Sequence, residues 1–168
     1  LTIRASVEYR VKGSNATFFK EAEPLRFKIS SSPIVVNINA VKNISSGQET
    51  DVVLTVSSNA ATRLTNILVK AEYPNGFDFS RSSPAPVSGQ NIWMIDELDP
   101  EGKASITITG ALLGSESEEF AMNFSVGVPN ERDRLNLASI FALVSTEFTI
   151  EEAFLDVGVV VNGVRNNV

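Results

Sequence analysis

The chain contains no histidine and no cysteine, only one tryptophan among its 168 residues, and no long apolar run. Without imidazole, Ser-His-Asp and Cys-His mechanisms, imidazole acid/base chemistry and zinc sites that need a histidine are excluded. Without thiols, disulfides, thiolate catalysis and iron–sulfur ligation are excluded too. A metal could be held only by oxygen atoms, which leaves calcium and magnesium. No stretch approaches the roughly 20 apolar residues that a membrane-spanning helix needs. Basic residues are also scarce: 14 Lys and Arg stand against 20 Asp and Glu, for a net charge of −6. With no basic run, neither nucleic acid nor an anionic membrane surface is an expected partner.

What is present is a chain built for a packed core, with 43% hydrophobic and 20% charged residues. Val, Ile and Thr recur at alternate positions, the period of a strand and not of a helix. Ile3, Ala5, Val7, Tyr9 and Val11 fall on one side, and Arg4, Ser6, Glu8, Arg10 and Lys12 on the other. The alternation returns in Leu25/Phe27/Ile29, Ile34/Val36/Ile38, Val52/Leu54/Val56 and Ile67/Val69/Ala71. It continues in Ala104/Ile106/Ile108, Phe120/Met122/Phe124/Val126, Ile140/Ala142/Val144 and Val157/Val159/Val161. Turn residues such as Ser46-Gly47, Pro74-Asn75-Gly76 and Pro100-Glu101-Gly102 separate the runs. Many short strands at this spacing predict an all-β sandwich.

The chain also resembles itself. Residues 3–11 superpose on 120–128, residues 25–29 on 140–144, and residues 33–43 on 153–163. The shift between copies is about 115–120 residues. The expected organisation is a tandem array: residues 1–32 form the last two strands of a preceding repeat, 33–148 a complete repeat, and 149–168 the first strand of a following one. Ser30-Ser31-Ser32-Pro33 and Ser145-Thr146-Glu147-Phe148 are the expected joints, and residues 12–24 read as a loop. On this expectation the chain is an internal piece of a longer polypeptide.

Ile92-Trp93-Met94-Ile95-Asp96-Glu97-Leu98-Asp99-Pro100-Glu101-Gly102, followed by Ile106-Thr107-Ile108-Thr109-Gly110, resembles the Ig-like tandem repeats of bacterial and archaeal cell-surface proteins, the conserved-repeat or CARDB-like group. The likeness covers about residues 34–144. It implies an Ig-like β-sandwich without catalytic residues, on an extracellular or cell-surface protein, serving as a spacer or adhesive module. It also implies that Trp93 packs in the core.

Three features carry candidate chemistry. Asp96, Asp99 and Glu101, together with Glu97, gather carboxylates into one turn, where calcium is the only cofactor to consider; a solvated turn is the competing reading. Residues 74–91 form the longest stretch without a clear strand, and Phe77, Phe79 and Arg81 are its candidate contacts for a surface glycan or a protein. Alternatively, the stretch simply crosses between the two sheets. The β-prone run Phe154-Leu155-Asp156-Val157-Gly158-Val159-Val160-Val161 needs a pairing strand, supplied by a neighbouring repeat or by another protomer in a filament.

Overall fold

The computed structural model describes residues 2–13, 15–26, 32–151, 158–161 and 164–167. In chain order the strands are β1 Thr2–Ile3, β2 Ser6–Arg10, β3 Thr17–Glu21, β4 Leu25–Arg26, β5 Ile34–Ala40, β6 Asn43–Ser45, β7 Glu49–Ser58 and β8 Leu64–Glu72. They continue with β9 Phe77–Ser83, β10 Ile92–Leu98, β11 Lys103–Leu112, β12 Glu119–Pro129, β13 Leu137–Glu151, β14 Gly158–Val161 and β15 Val164–Asn167. No helix occurs among the described residues. Two compact units are present, residues 1–31 and 32–168.

The first unit is a hairpin. β2 pairs antiparallel with β3, setting Tyr9 opposite Phe18, and β1 pairs with β4, setting Ile3 opposite Leu25. Residues 17–21 were expected in a loop. They form a strand by pairing with β2, which stacks Phe18 on Tyr9 and sets Phe19 opposite Glu8 on the other face.

The second unit is an Ig-like sandwich of two sheets. One sheet runs β5-β7-β11-β9 and the other β10-β8-β12-β13-β6. Neighbours are antiparallel, except that β6 lies parallel to the end of β13, with Ile44 beside Ile150. Alternation sends one side chain in two inward. Val52, Leu54 and Val56 of β7 face Ile67 and Val69 of β8 and Met122, Phe124 and Val126 of β12, all at 0–1% exposure. Each such side chain, fully buried, contributes about 1.5–3 kcal/mol. Trp93 also belongs to this core, and its Nε1 donates to Ser82 Oγ and the Pro84 carbonyl, so the indole is buried without an orphaned donor.

Two departures from regular strands shape the unit. β13 is continuous through 145–148, the stretch expected to be a joint, and continues to Glu151 because Phe148 and Ile150 are both core residues. Within it, Phe141 is an extra residue between the pairs Val126–Ala142 and Gly127–Ile140, a β-bulge. The bulge brings the two backbones so close that a Cβ on Gly127 would lie 1.9 Å from the Ser139 carbonyl oxygen.

Gly127→Ala is therefore expected to lower stability by about 1–3 kcal/mol or more, the range for overpacking. Guanidinium unfolding followed by tryptophan fluorescence of Trp93 measures this, and an unchanged midpoint would show that the bulge yields freely.

Candidate functional site

The acidic turn comes first. Its carboxylates do not converge on one point: Arg63 bridges Glu97 at 2.8 Å and Asp99 at 2.6 Å. The Asp99 hydrogen bond, followed by the charges of Asp99 and Glu97, raises the guanidinium above its ordinary pKa. Glu101 sits in the turn with φ of 61°, next to Gly102, whose N–H donates to the Asp99 carbonyl. No group of three or more Asp or Glu side chains placed to hold a metal occurs among the described residues. The local counter-charge is Arg63.

Residues 74–91 are not one loop. Residues 77–83 form β9, which closes the edge of its sheet against β11. Phe77 and Phe79, named above as contacts, turn toward the core, with ring centroids 4.7 and 6.2 Å from Tyr73. The physical reason is pairing: once the segment joins β11, alternation sends both phenylalanines to the apolar side. Arg81 stays exposed and pairs with Glu49 at 3.3 Å. Tyr73 donates its hydroxyl to the Gln90 carbonyl, and burial pushes its phenol well above the ordinary tyrosine pKa.

A third surface feature lies at the end of the sandwich away from residues 74–91, near the acidic turn. The connection between β12 and β13, residues 130–136, folds back over the outer face of β8. Arg134 Nη2 donates to Asn66 Oδ1 at 2.9 Å, and Lys70 Nζ donates to Asn136 Oδ1 at 3.0 Å. These bonds flank Leu68, which is fully buried although it points away from the main core, between the inward-facing Ile67 and Val69. Asn66 supports the arrangement with φ of 55°, a conformation that asparagine tolerates better than most residues.

The loop is also held internally. Asn136 Nδ2 donates to Asp133 Oδ2 at 2.6 Å, the Arg132 N–H to Asn130 Oδ1, and the Asn130 N–H to the Asn136 carbonyl. Beside it opens a groove of about 380 Å³ lined by Thr65, Asn66, Pro129, Glu131 and Arg134. The site offers hydrogen-bond donors and acceptors of both charge signs on a rigid frame. From the sequence, residues 129–139 read as a loop with no role assigned to it; the local signal is Asn-Glu-Arg-Asp-Arg-Leu-Asn, a dense run of charge after Pro129.

No known family model matches the chain, and no curated protein does. Solved structures match in fold. AvmM, which catalyzes macrocyclization in alchivemycin A biosynthesis, superposes with a TM-score of 0.52 and 10% identity over 73% of this chain and 91% of its own. A conjugative transposon lipoprotein from Bacteroides eggerthii gives 0.46 and 12% over 70% and 98%. A cohesin module from a Clostridium perfringens family 33 glycoside hydrolase gives 0.45 and 13% over 73% and 100%. Likeness at such identities concerns the β-sandwich fold alone.

Two outcomes test the local geometry. Because the Tyr73 phenol is raised in the folded state, its contribution is fully present below about pH 10, the unfolded value, and fades as pH climbs above it. Tyr73→Phe is expected to cost about 1 kcal/mol at neutral pH and to flatten the alkaline fall in a series of melting temperatures. Replacing Arg134 and Asn136 together by alanine is expected to leave the sandwich folded while amide exchange in residues 130–137 accelerates. Unchanged exchange would mean that the two bonds do not pin the loop.

Proposed function

We propose that this chain is a non-catalytic structural and adhesive segment of a secreted or cell-surface protein made of tandem Ig-like repeats, with the 130–136 loop as the contact surface of each unit. The observation that carries this reading is the apolar face of the N-terminal hairpin. Residues directly opposite across a strand pair share a face. One face of the β2–β3 pair therefore carries Val7, Tyr9 and Phe18, 45–56% exposed, beside Lys20, with the Tyr9 and Phe18 rings stacked at 5.4 Å, and the separate β1–β4 pair sets exposed Ile3 opposite exposed Leu25. The other carries Ser6, Glu8, Arg10, Thr17 and Glu21, with Phe19. An isolated two-stranded hairpin is marginal in water, and such a face calls for a cover.

The same alternating strand recurs as β12, where Phe120, Met122, Phe124 and Val126 are covered by the opposite sheet. The hairpin of residues 2–26 is then the closing pair of a neighbouring sandwich, covered there by a sheet like β5-β7-β11-β9. The charged groups fit a non-catalytic role as well. The carboxylates at 97 and 99 are taken up by Arg63, and the buried polar residues are only Ser58, Thr109 and Thr146 among those described.

The native polypeptide, purified from its source and weighed intact by mass spectrometry, is expected to be several times heavier than 18.1 kDa. A native mass near 18.1 kDa would overturn the tandem-array reading.

A further inference from the structure

Each sheet of the sandwich ends in exposed edges, and these edges differ in chemistry. β9 carries Asp78 and Arg81, and β10 carries Asp96 and Glu97, charges of the kind that keep edge strands from pairing with other chains. β5, the terminal strand of the four-stranded sheet, has no such charges: residues 33–41 contain no charged side chain in a protein of net charge −6, and its nearest neighbour outside the sheet is β13, whose Phe141 carbonyl accepts from Ser32 Oγ. β6, the other uncharged edge, is only three residues long, so β5 is the longer edge along which two copies meet no like charges.

The hydrogen-bonding pattern shows which backbone groups are available. The Asn59 N–H donates to the Pro33 carbonyl, so alternation commits residues 35, 37 and 39 to β7 and turns residues 34, 36, 38 and 40 outward. The N–H of Ile34 already donates to Ser32 Oγ at 3.3 Å, which agrees with that assignment. Val36, Ile38 and Ala40 keep outward-facing N–H and C=O groups without a strand partner among the described residues.

The outer-face side chains make the edge its own complement. They read Val35, Asn37, Asn39 and Val41, the two valines 43% and 62% exposed. If a second copy lies antiparallel with Ile38 opposite Ile38, then Val36 faces Ala40, Val35 faces Val41 and Asn37 faces Asn39, each in both directions. All three outward residues then form narrow hydrogen-bonded pairs, while apolar meets apolar and amide meets amide on the outer face. We propose that the β5 edge is a homotypic docking surface through which two copies of this chain join their four-stranded sheets into one continuous eight-stranded sheet about a two-fold axis at Ile38. Such a contact is isologous and small, in the class of weak, transient interfaces.

The test uses the whole 168-residue chain. Sedimentation of the wild type over roughly 10 μM to 1 mM, the range of weak association, is expected to show a concentration-dependent dimer. The double variant Val35→Lys, Val41→Lys is expected to stay monomeric over that range with an unchanged melting temperature, since both side chains point outward. The chain has no native cysteine, so Asn37→Cys and Asn39→Cys single variants can be mixed. A 37–39 disulfide between copies is expected to form several-fold faster than either homodisulfide. A wild type that remains monomeric throughout overturns the proposal. So does a dimer that persists in the double-lysine variant with no preference for the mixed disulfide, because that dimer uses another surface such as the hairpin of residues 2–26.

Discussion

A sheet with one apolar face has to be covered, and that requirement organises everything in this chain. In the sandwich it is met by the second sheet: β7 and β11 lie against β8 and β12, with Val52, Leu54, Val56, Ile67, Val69, Met122 and Phe124 excluded from water. The polar interior is accordingly small. Thr109 bonds Asp51, the Trp93 indole bonds Ser82 and Pro84, and no buried side-chain nitrogen or oxygen among the described residues lacks a partner. Within the hairpin of residues 2–26 the same requirement is unmet: Val7, Tyr9 and Phe18 share an exposed face.

Coverage also explains the smaller features. Leu68 projects from the other side of β8 and is nonetheless buried, between Asn66 and Lys70, the two residues to which the 130–136 loop is fastened through Arg134 and Asn136. Phe77 and Phe79 close the apolar margin of the sheet at β9. A hydrogen-bonded connection results at one end of the sandwich and an edge strand, β9, paired with β11 near the other.

Most of the fold was legible in the sequence because strand alternation is a local signal. The strands around Leu54, Val69, Ile106, Phe124 and Val144 were all visible, as was the burial of Trp93. What escaped was whatever depended on pairing at long range. Residues 17–21 have adjacent phenylalanines and no alternation, and only the partner strand makes them β3. Ser145-Thr146-Glu147 looked like a polar break, yet Thr146 is buried and β13 runs through it. The candidate loop was illegible for the same reason: its fastening joins Arg134 to Asn66, 68 residues away, and no local pattern announces such a bond.

The short parallel pair at the end of β13 has a mechanical consequence. β6 runs alongside residues 149–151, with Thr149 donating to the Lys42 carbonyl just ahead of it. Chain leading into the unit reaches β6 from its N-terminal end, while chain leading out leaves β13 from its C-terminal end. Tension between the two pulls the strands past each other lengthwise, so the backbone bonds between them are loaded together instead of one after another. On the entering side β5, paired with β7, stands ahead of β6, so tension from that side meets the β5–β7 ladder before it meets the parallel pair.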